Sequence, residues 1–176
     1  MITLRPAREH EIPALNDLIA RSARGLSTGD YSPGEIEALI THIFGVDSEL
    51  VSDGTYVIAE VDGEVAGCGG WSRRRTLFGG DAFAGRESGF LDPATDAAKI
   101  RAFFVAPEFA RRGVGQAILD HCAAAAAGAG FSRLELMATL PGVPFYRRLG
   151  FDGEAEVVVE AGETPVRFVP MERSVS

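Results

Sequence analysis

Apolar and polar positions near the start of the chain predict one strand followed by two helices. Residues 2–5 suit an edge strand. Beyond them, two sets of apolar residues recur three and four positions apart, as on the buried face of a helix: Ile12, Leu15, Leu18 and Ile19, then Ile36, Leu39, Ile40 and Ile43. The second helix is predicted to begin at residues 32–35 (Ser-Pro-Gly-Glu), because serine and glutamate have capping-box spacing and proline takes the first helical position.

The middle of the chain predicts an antiparallel meander. Residues 55–61 and 64–71 are strand-like, and the Asp-Gly pair between them, at 62–63, is preferred in two-residue hairpin turns. A third strand is predicted at residues 100–105. The stretch before it, residues 72–98, is long, polar and rich in glycine, which is typical either of a functional loop or of a disordered one.

The sequence APEFARRGVGQ at residues 106–116 joins the third strand to an alanine-rich helix. Gly113 and Gly115 remove side chains that would keep a ligand away from the backbone. The first helical turn offers unpaired N–H groups and the positive end of the helix dipole, and Arg111 and Arg112 add positive charge. The stretch predicts a site for a phosphate-bearing molecule, although a tight strand-to-helix turn with solvated arginines has the same pattern.

The remaining pattern completes a mixed sheet with helices on both faces. Gly-Ala-Gly at 128–130 ends the alanine-rich helix, and residues 133–137 alternate like a second core strand. The sequence FYRRLGF follows at 145–151. Residues 156–160 and 166–169 predict a C-terminal hairpin.

Composition and charge narrow the class of protein. Residues 1–176, of which 46% are hydrophobic, are expected to form a single domain. No apolar run approaches the roughly 20 residues that a membrane span requires, and no signal-like segment starts the chain, so a cytoplasmic protein without a membrane partner is expected. The net charge of -8 argues against nucleic acid as the main partner; it either favours a cationic acceptor or only aids solubility.

Cysteine and histidine positions predict no metal site. Cys68 and Cys122 lie in strand-like and helical patterns as small buried hydrophobes. His10, His42 and His121 are far apart and have no neighbouring cysteines, so no metal cofactor is expected.

The strand, phosphate loop, helix and second strand, with the FYRRLGF ending, resemble the central motifs of the GNAT-type N-acetyltransferases. The resemblance is close over residues 99–151. The family often has Gln or Arg three residues before the first loop glycine, where this chain has Ala110 beside Arg111 and Arg112. The resemblance implies an α+β (three-layer α/β) fold: a mixed, mostly antiparallel sheet of about six to seven strands with about four helices on both faces.

The same resemblance implies acetyl-CoA as co-substrate. Its pantetheine arm is expected beside the strand that precedes the phosphate loop, where a backbone N–H serves the thioester oxygen. Its diphosphate is expected on the amides of the loop, and the second parallel strand is expected to splay away to admit it. The residues implied to bind acetyl-CoA are Phe103, Phe104, Val105, Arg111, Arg112, Gly113, Val114, Gly115, Gln116, Thr139 and Phe145.

Tyr146 matches the family position of the general acid. Its phenol is protonated at neutral pH and can give a proton to the departing thiolate, although a core aromatic is the other interpretation. The general base is less visible. Its candidates, each also typical of a solvated surface, are Glu35, Glu37, His42 and Asp96.

The resemblance predicts an N-acetyltransferase acting on a primary amine of a small molecule or a protein. Acceptor choice is expected from residues 25–31 and from the long loop, whose arginines at 73–75 either attract an anion or form a solvated face. A non-catalytic acyl-CoA-binding regulatory module is the alternative, and a nucleotide-binding domain of another type lacks its usual glycine motifs here. The C-terminal strands or an exposed sheet edge offer a surface for a homodimer.

Overall fold

The computed structural model of the protein describes residues 1–153 and 155–176. The strands are β1 (Ile2–Pro6), β2 (Tyr56–Val61), β3 (Glu64–Ser72), β4 (Ala98–Val105), β5 (Arg133–Thr139), β6 (Asp152–Gly153), β7 (Val157–Ala161) and β8 (Thr164–Ser174). They form one sheet in the order β1-β2-β3-β4-β5-β8-β6, with β7 also paired to β8. Of the described strand pairs, β4 with β5 is parallel and the others are antiparallel.

The helices pack against different parts of this sheet. They are α1 (Ile12–Leu26), α2 (Pro33–His42), α3 (Ser48–Asp53), α4 (Val114–Gly128) and α5 (Val143–Arg148). The longest described helices, α1 and α4, contact β4 and β1–β4 respectively, while α2 contacts β7 and β8. The predicted α+β class is confirmed. In the described residues there are eight strands and five α-helices, slightly above the expected numbers, because α3 and β6 are too short to leave a periodic signal.

Two local predictions are confirmed in detail. The Ser32 hydroxyl accepts a hydrogen bond from the Glu35 N–H at 3.1 Å, and the Glu35 carboxylate accepts one from the Ser32 N–H at 2.9 Å. This is the capping box that starts α2. Asp62 and Gly63 have φ values of 51° and 85°, as the two-residue turn between β2 and β3 requires.

The long loop between β3 and β4 is folded back on itself. Arg74 and Phe90 form an isolated antiparallel bridge, and the Thr76 hydroxyl donates to the Glu87 carbonyl at 2.9 Å. Arg101, on β4 and 1% exposed, anchors the loop from below by donating to the Thr76 carbonyl at 3.0 Å and pairing with the Asp47 carboxylate at 2.9 Å. Buried polar contacts therefore hold this loop in one conformation.

The parallel strands β4 and β5 separate soon after they begin. Their pairing consists of Ala98 with Leu134 and Lys99 with Glu135. Beyond Lys99 the facing edges of β4 and β5 do not pair with each other, so a gap opens towards the carboxyl ends of both strands. This is the predicted splay, and it is where ligands bind in many open α/β sheets.

No helix in the described part of the chain combines the length and the apolar character needed to cross a bilayer.

Candidate active site

The gap between β4 and β5 is a cavity of about 350 Å³. Its walls come from α1, the residues after α2, the long loop, β4, the loop before α4, β5, α5 and β8. The predicted site residues that line it are Phe103, Phe104, Val105, Arg111, Thr139, Phe145 and Tyr146. The other predicted residues, Arg112, Gly113, Val114, Gly115 and Gln116, follow directly after Arg111 at the start of α4.

A β-bulge shapes the β4 side of the cavity. Cys68 pairs with Phe104 and Gly70 with Arg101, so Ala102 and Phe103 lie opposite one residue, Gly69. A Cβ atom on Gly69 would lie 2.5 Å from the Phe103 ring, which explains why glycine occupies this position.

The bulge is held from the core by a tyrosine that sequence reasoning missed. Ala102 has a φ of 50°, a left-handed conformation that costs a non-glycine residue about 1 kcal/mol. The Tyr56 hydroxyl donates to the Ala102 carbonyl at 2.7 Å, and the Tyr56 side chain is fully buried. Burial raises the pKa of Tyr56, so the phenol remains a donor at neutral pH. An aromatic residue in a strand pattern gave no signal of this role.

The start of α4 is left without a cap. Gly113 is the N-cap residue, with a φ of 84°, and no side chain accepts a hydrogen bond from the first turn. The first turn also contains no acidic residue. The amides of Val114, Gly115 and Gln116 are therefore available as a group of donors, at the positive end of a 15-residue helix dipole.

Glycine is required at the two loop positions for different structural reasons. At Gly113 an added Cβ atom would meet nothing closer than 3.9 Å, but the positive φ disfavours any other residue. At Gly115 an added Cβ atom would lie 2.9 Å from the Phe145 ring. Gly113 therefore permits the turn, whereas Gly115 permits α5 to approach α4. The sequence pattern alone assigned one role, access of a ligand to the backbone, to both.

The two loop arginines also differ. Arg111 lines the cavity and has a φ of 61°, so the loop accepts a left-handed residue at this position. Arg112 is exposed and places its guanidinium 5.1 Å from the centre of the Phe109 ring, as in a cation–π contact. The structure thus separates an arginine in the cavity from one stacked on the loop's own aromatic residue.

Tyr146 is half-buried in the cavity wall between two aromatic rings. The ring centres of Phe145 and Phe151 lie 5.1 and 5.6 Å from that of Tyr146, both edge-on. Burial raises the pKa of the Tyr146 phenol above its ordinary value, which keeps the proton on the oxygen at neutral pH. Thr139 ends β5 on the same wall.

None of the four candidate bases is among the described residues that line the cavity. Glu35 is used in the capping box of α2, and Glu37 pairs with Arg24 at 2.8 Å on the exposed surface. The His42 ring packs against Gly162, and Asp96 accepts a hydrogen bond from the Asp92 N–H at 2.8 Å. In the described part of the chain, no group of three or more His, Cys, Asp or Glu residues is placed to hold a metal ion.

Three phenylalanines in the cavity wall were not predicted as site residues: Phe44, Phe78 and Phe168. Phe44 and Phe168 lie within or next to apolar patterns, where a wall residue cannot be told from a core residue. Phe78 lies in the long loop, which was expected to select the acceptor, but the sequence pointed there only to the arginines at 73–75.

Tyr31 joins three elements beside this wall. Its hydroxyl donates to the Arg167 carbonyl of β8 and accepts from the Leu140 N–H at 3.0 Å. Burial is the main cause that raises its pKa, to about 12.

The arginine run of the long loop does not line the cavity. Arg74 pairs with Asp53 at 2.8 Å, and Arg73 lies over the Trp71 ring.

Comparison with protein-family models assigns the chain to a family. The model described as the Acetyltransferase (GNAT) family matches residues 19–151, well over half of the chain. The chain belongs to the GNAT acetyltransferase family. The predicted resemblance is confirmed, and the GNAT protein is an acyltransferase by family.

Solved structures share the fold of this GNAT protein. A GCN5-related N-acetyltransferase from Rhodopseudomonas palustris has a TM-score of 0.73 and 19% identity, covering 98% of this chain and 94% of that one. PaiA N-acetyltransferase from Thermoplasma acidophilum, in complex with coenzyme A, has a TM-score of 0.66 and 16% identity, covering 99% of each chain. YncA from Salmonella typhimurium, with its cofactor acetyl-CoA, has a TM-score of 0.62 and 14% identity, covering 100% and 95%. Comparison with curated proteins finds no match.

Proposed function

We propose that this GNAT protein transfers an acetyl group from acetyl-CoA directly to a primary amine, with both substrates bound together. The observation that carries the proposal is one cavity lined by the free edge of β4, by Arg111 and by Tyr146, directly before the uncapped start of α4. Solved structures of the same fold with coenzyme A or acetyl-CoA support this choice of donor.

Different parts of the cavity suit different parts of acetyl-CoA. The amides at the start of α4 and the Arg111 guanidinium offer hydrogen bonds and positive charge to the diphosphate. Arg112 adds charge nearby but is already stacked on Phe109. The edge of β4 at Phe103–Val105 has backbone groups for the amides of the pantetheine arm, which makes it a binding edge of the β-augmentation type.

The reaction forms a C–N bond and breaks a C–S bond. Acetyl-CoA supplies an activated thioester carbonyl for attack by the amine nitrogen. The amine loses one proton to water, and Tyr146 gives its phenol proton to the departing thiolate sulfur, regaining it from solvent. Thr139 and Phe145 line the wall around Tyr146 and shape the space in which the transfer takes place.

Arg111 and Arg112 form a matched pair for testing the donor site. Arg111→Ala removes a cationic side chain that lines the cavity, and Arg112→Ala removes one that stacks outside it. Calorimetric titration with acetyl-CoA is expected to show affinity about tenfold weaker for Arg111→Ala, because charged hydrogen bonds contribute roughly 1.5–3 kcal/mol. Arg112→Ala is expected to lose no more than about twofold, as for an exposed charge.

Equal losses in the two variants would contradict the assigned phosphate contact. If the unchanged protein does not bind acetyl-CoA, the proposed function is wrong. If it binds acetyl-CoA but releases no thiol with any amine, the regulatory-module alternative is supported.

A further inference from the structure

One side of the cavity is walled by apolar side chains from four separate parts of the fold. These residues, here called the acceptor wall, are Ile43, Phe44, Phe78, Met137 and Phe168. The ring centres of Phe78 and Phe168 are 5.8 Å apart, and Phe44 meets Phe104 of β4 edge-on at 5.0 Å. The wall therefore offers aromatic surface directly beside the strand that is proposed to hold the donor.

The cavity has almost no charge with which to bind a second ionic group. Among the described residues that line it, Arg111 has the only charged side chain. The only other titratable side chain among them is the phenol of Tyr146. Arg111 is assigned to the donor phosphates in the proposed function. Among these lining residues, a carboxylate on the acceptor would thus find no unused cationic side chain to pair with. A second ammonium group would find no anionic side chain.

Several charged residues on the elements behind the acceptor wall have other partners. On α2, Glu35 belongs to the capping box and Glu37 pairs with Arg24, while the exposed His42 lies beside Gly162 and does not line the cavity. Below the long loop, Asp47 is 2.9 Å from both Arg86 and Arg101. On β8, Arg167 pairs with Glu156 at 3.5 Å.

We infer that the acceptor is a primary amine on an apolar, ring-bearing body, without a carboxylate or a second ammonium, and that it reacts as the free base. This inference rests on the proposed function. Burying an unpaired ion costs several kcal/mol, so the cavity selects an acceptor that carries no charge when it enters. A cation–π contact with a phenylalanine ring returns only about 0.5–2 kcal/mol and does not offset that cost.

Matched acceptor pairs test the inference through thiol release at saturating acetyl-CoA. 2-Phenylethylamine and phenylalanine differ only in a carboxylate, and hexylamine and 1,6-diaminohexane differ in a second amine. The amine without the extra charge is expected to have a kcat/KM at least about tenfold higher in each pair, because the extra ion must be desolvated without a partner. A preference for phenylalanine or for the diamine would overturn the inference.

The pH dependence provides a second readout. Without a base in the cavity, kcat/KM for 2-phenylethylamine is expected to rise tenfold per pH unit up to the pKa of the amine itself. Amines of lower pKa are expected to reach their plateau at correspondingly lower pH. A plateau at one pH for all amines would instead reveal a basic group on the protein and would overturn the free-base step.

A carboxylate placed in the acceptor wall is expected to change the preference. Phe78→Glu gives a second ammonium the missing partner, so the kcat/KM ratio of diaminohexane to hexylamine is expected to rise about tenfold. The matched control is Phe90→Glu, because Phe90 lies on the same loop, is 59% exposed and does not line the cavity. An equal change in both variants would contradict the role of the wall.

Acetyl-CoA titration of each variant shows that the donor site is intact before acceptors are compared. Loss of thiol release with every amine, in the unchanged protein, contradicts the proposed function itself. If thiol is released but a charged acceptor is preferred, only the inferred acceptor class is contradicted. Failure of the proposed function and failure of the acceptor inference are therefore distinguishable.

Discussion

At the scale of single residues, Tyr146 is the proposed proton donor, and its surroundings affect the protonation of its phenol. Its phenol lies in the cavity wall, and the aromatic rings on either side bury it and raise its pKa. The raised pKa keeps the phenol protonated at neutral pH, which the proposed proton donation to the thiolate requires.

Tyr146→Phe is expected to lower kcat by roughly 100-fold, since a general acid contributes at least that factor. The affinity for acetyl-CoA is expected to change less than about twofold, because the ring and its packing remain. Thiol-release kinetics and calorimetry measure the two quantities. Unchanged kcat would end the proposed role, and a large loss of affinity would indicate a structural role instead.

The sequence predicted Tyr146, Arg111 and Phe145 as site residues because they lie within a recognisable local motif, and all three line the cavity. It assigned Arg112 the same role as Arg111, since neighbouring arginines cannot be distinguished until the backbone shows where each points. Tyr56 was missed for a related reason. Its contact with the Ala102 carbonyl joins residues on β2 and β4, and no local pattern encodes that distance.

At the scale of elements, α4 has a glycine at each end and a different reason for each. Gly113 is the N-cap residue with a φ of 84°. Gly128 is the last helical residue, and an added Cβ atom there would meet nothing within 4 Å. A substitution at Gly113 therefore tests the effect of backbone conformation, whereas one at Gly128 tests helix propensity.

Gly113→Ala is expected to destabilise the protein by about 1 kcal/mol, because alanine resists a positive φ. It is also expected to weaken acetyl-CoA binding, since the loop before α4 must shift. Gly128→Ala is the control and is expected to be neutral or to stabilise by up to about 1 kcal/mol. Urea unfolding and calorimetry measure both effects. Similar stability changes in the two variants would show that the positive φ is not the cause.

The same scale shows where element prediction fails. The hairpin of β2 and β3 and the capping box of α2 were predicted because turn and cap chemistry is local. The short helix α3 was not, because six residues give less than two turns of pattern. Its N-cap, Asp47, matters beyond the helix, since its carboxylate also holds Arg101 below the long loop.

At the scale of the whole molecule, several buried groups titrate only at high pH. Burial raises the pKa of the Cys68 and Cys122 thiols from 9.0 to about 12. Burial, the largest cause, also raises the pKa of the Tyr31 phenol from 10.0 to about 12. The folded state therefore holds these protons more tightly than the unfolded state does.

Below about pH 9 these groups are expected to add no pH dependence to the free energy of unfolding, because both states hold their protons. The free energy of unfolding is expected to fall as the pH rises from there towards about 12. Urea midpoints measured between neutral and strongly alkaline pH test this. The double variant Cys68→Ala/Cys122→Ala is expected to show a shallower fall, although its stability at neutral pH is lower because two buried sulfur atoms are lost. An equal fall in both proteins would contradict the contribution of the thiols.

The sequence by itself determined the family, the glycine-containing loop before α4 and most of the helices and strands, because each depends on spacing within a short stretch. Only the tertiary structure decided which neighbours face the cavity, at which residues β4 and β5 separate, and that an aromatic wall stands beside them. Phe44, Phe78 and Phe168 come from distant parts of the chain. Their meeting depends on the packing of helices and a loop onto the sheet, which residue order does not reveal locally.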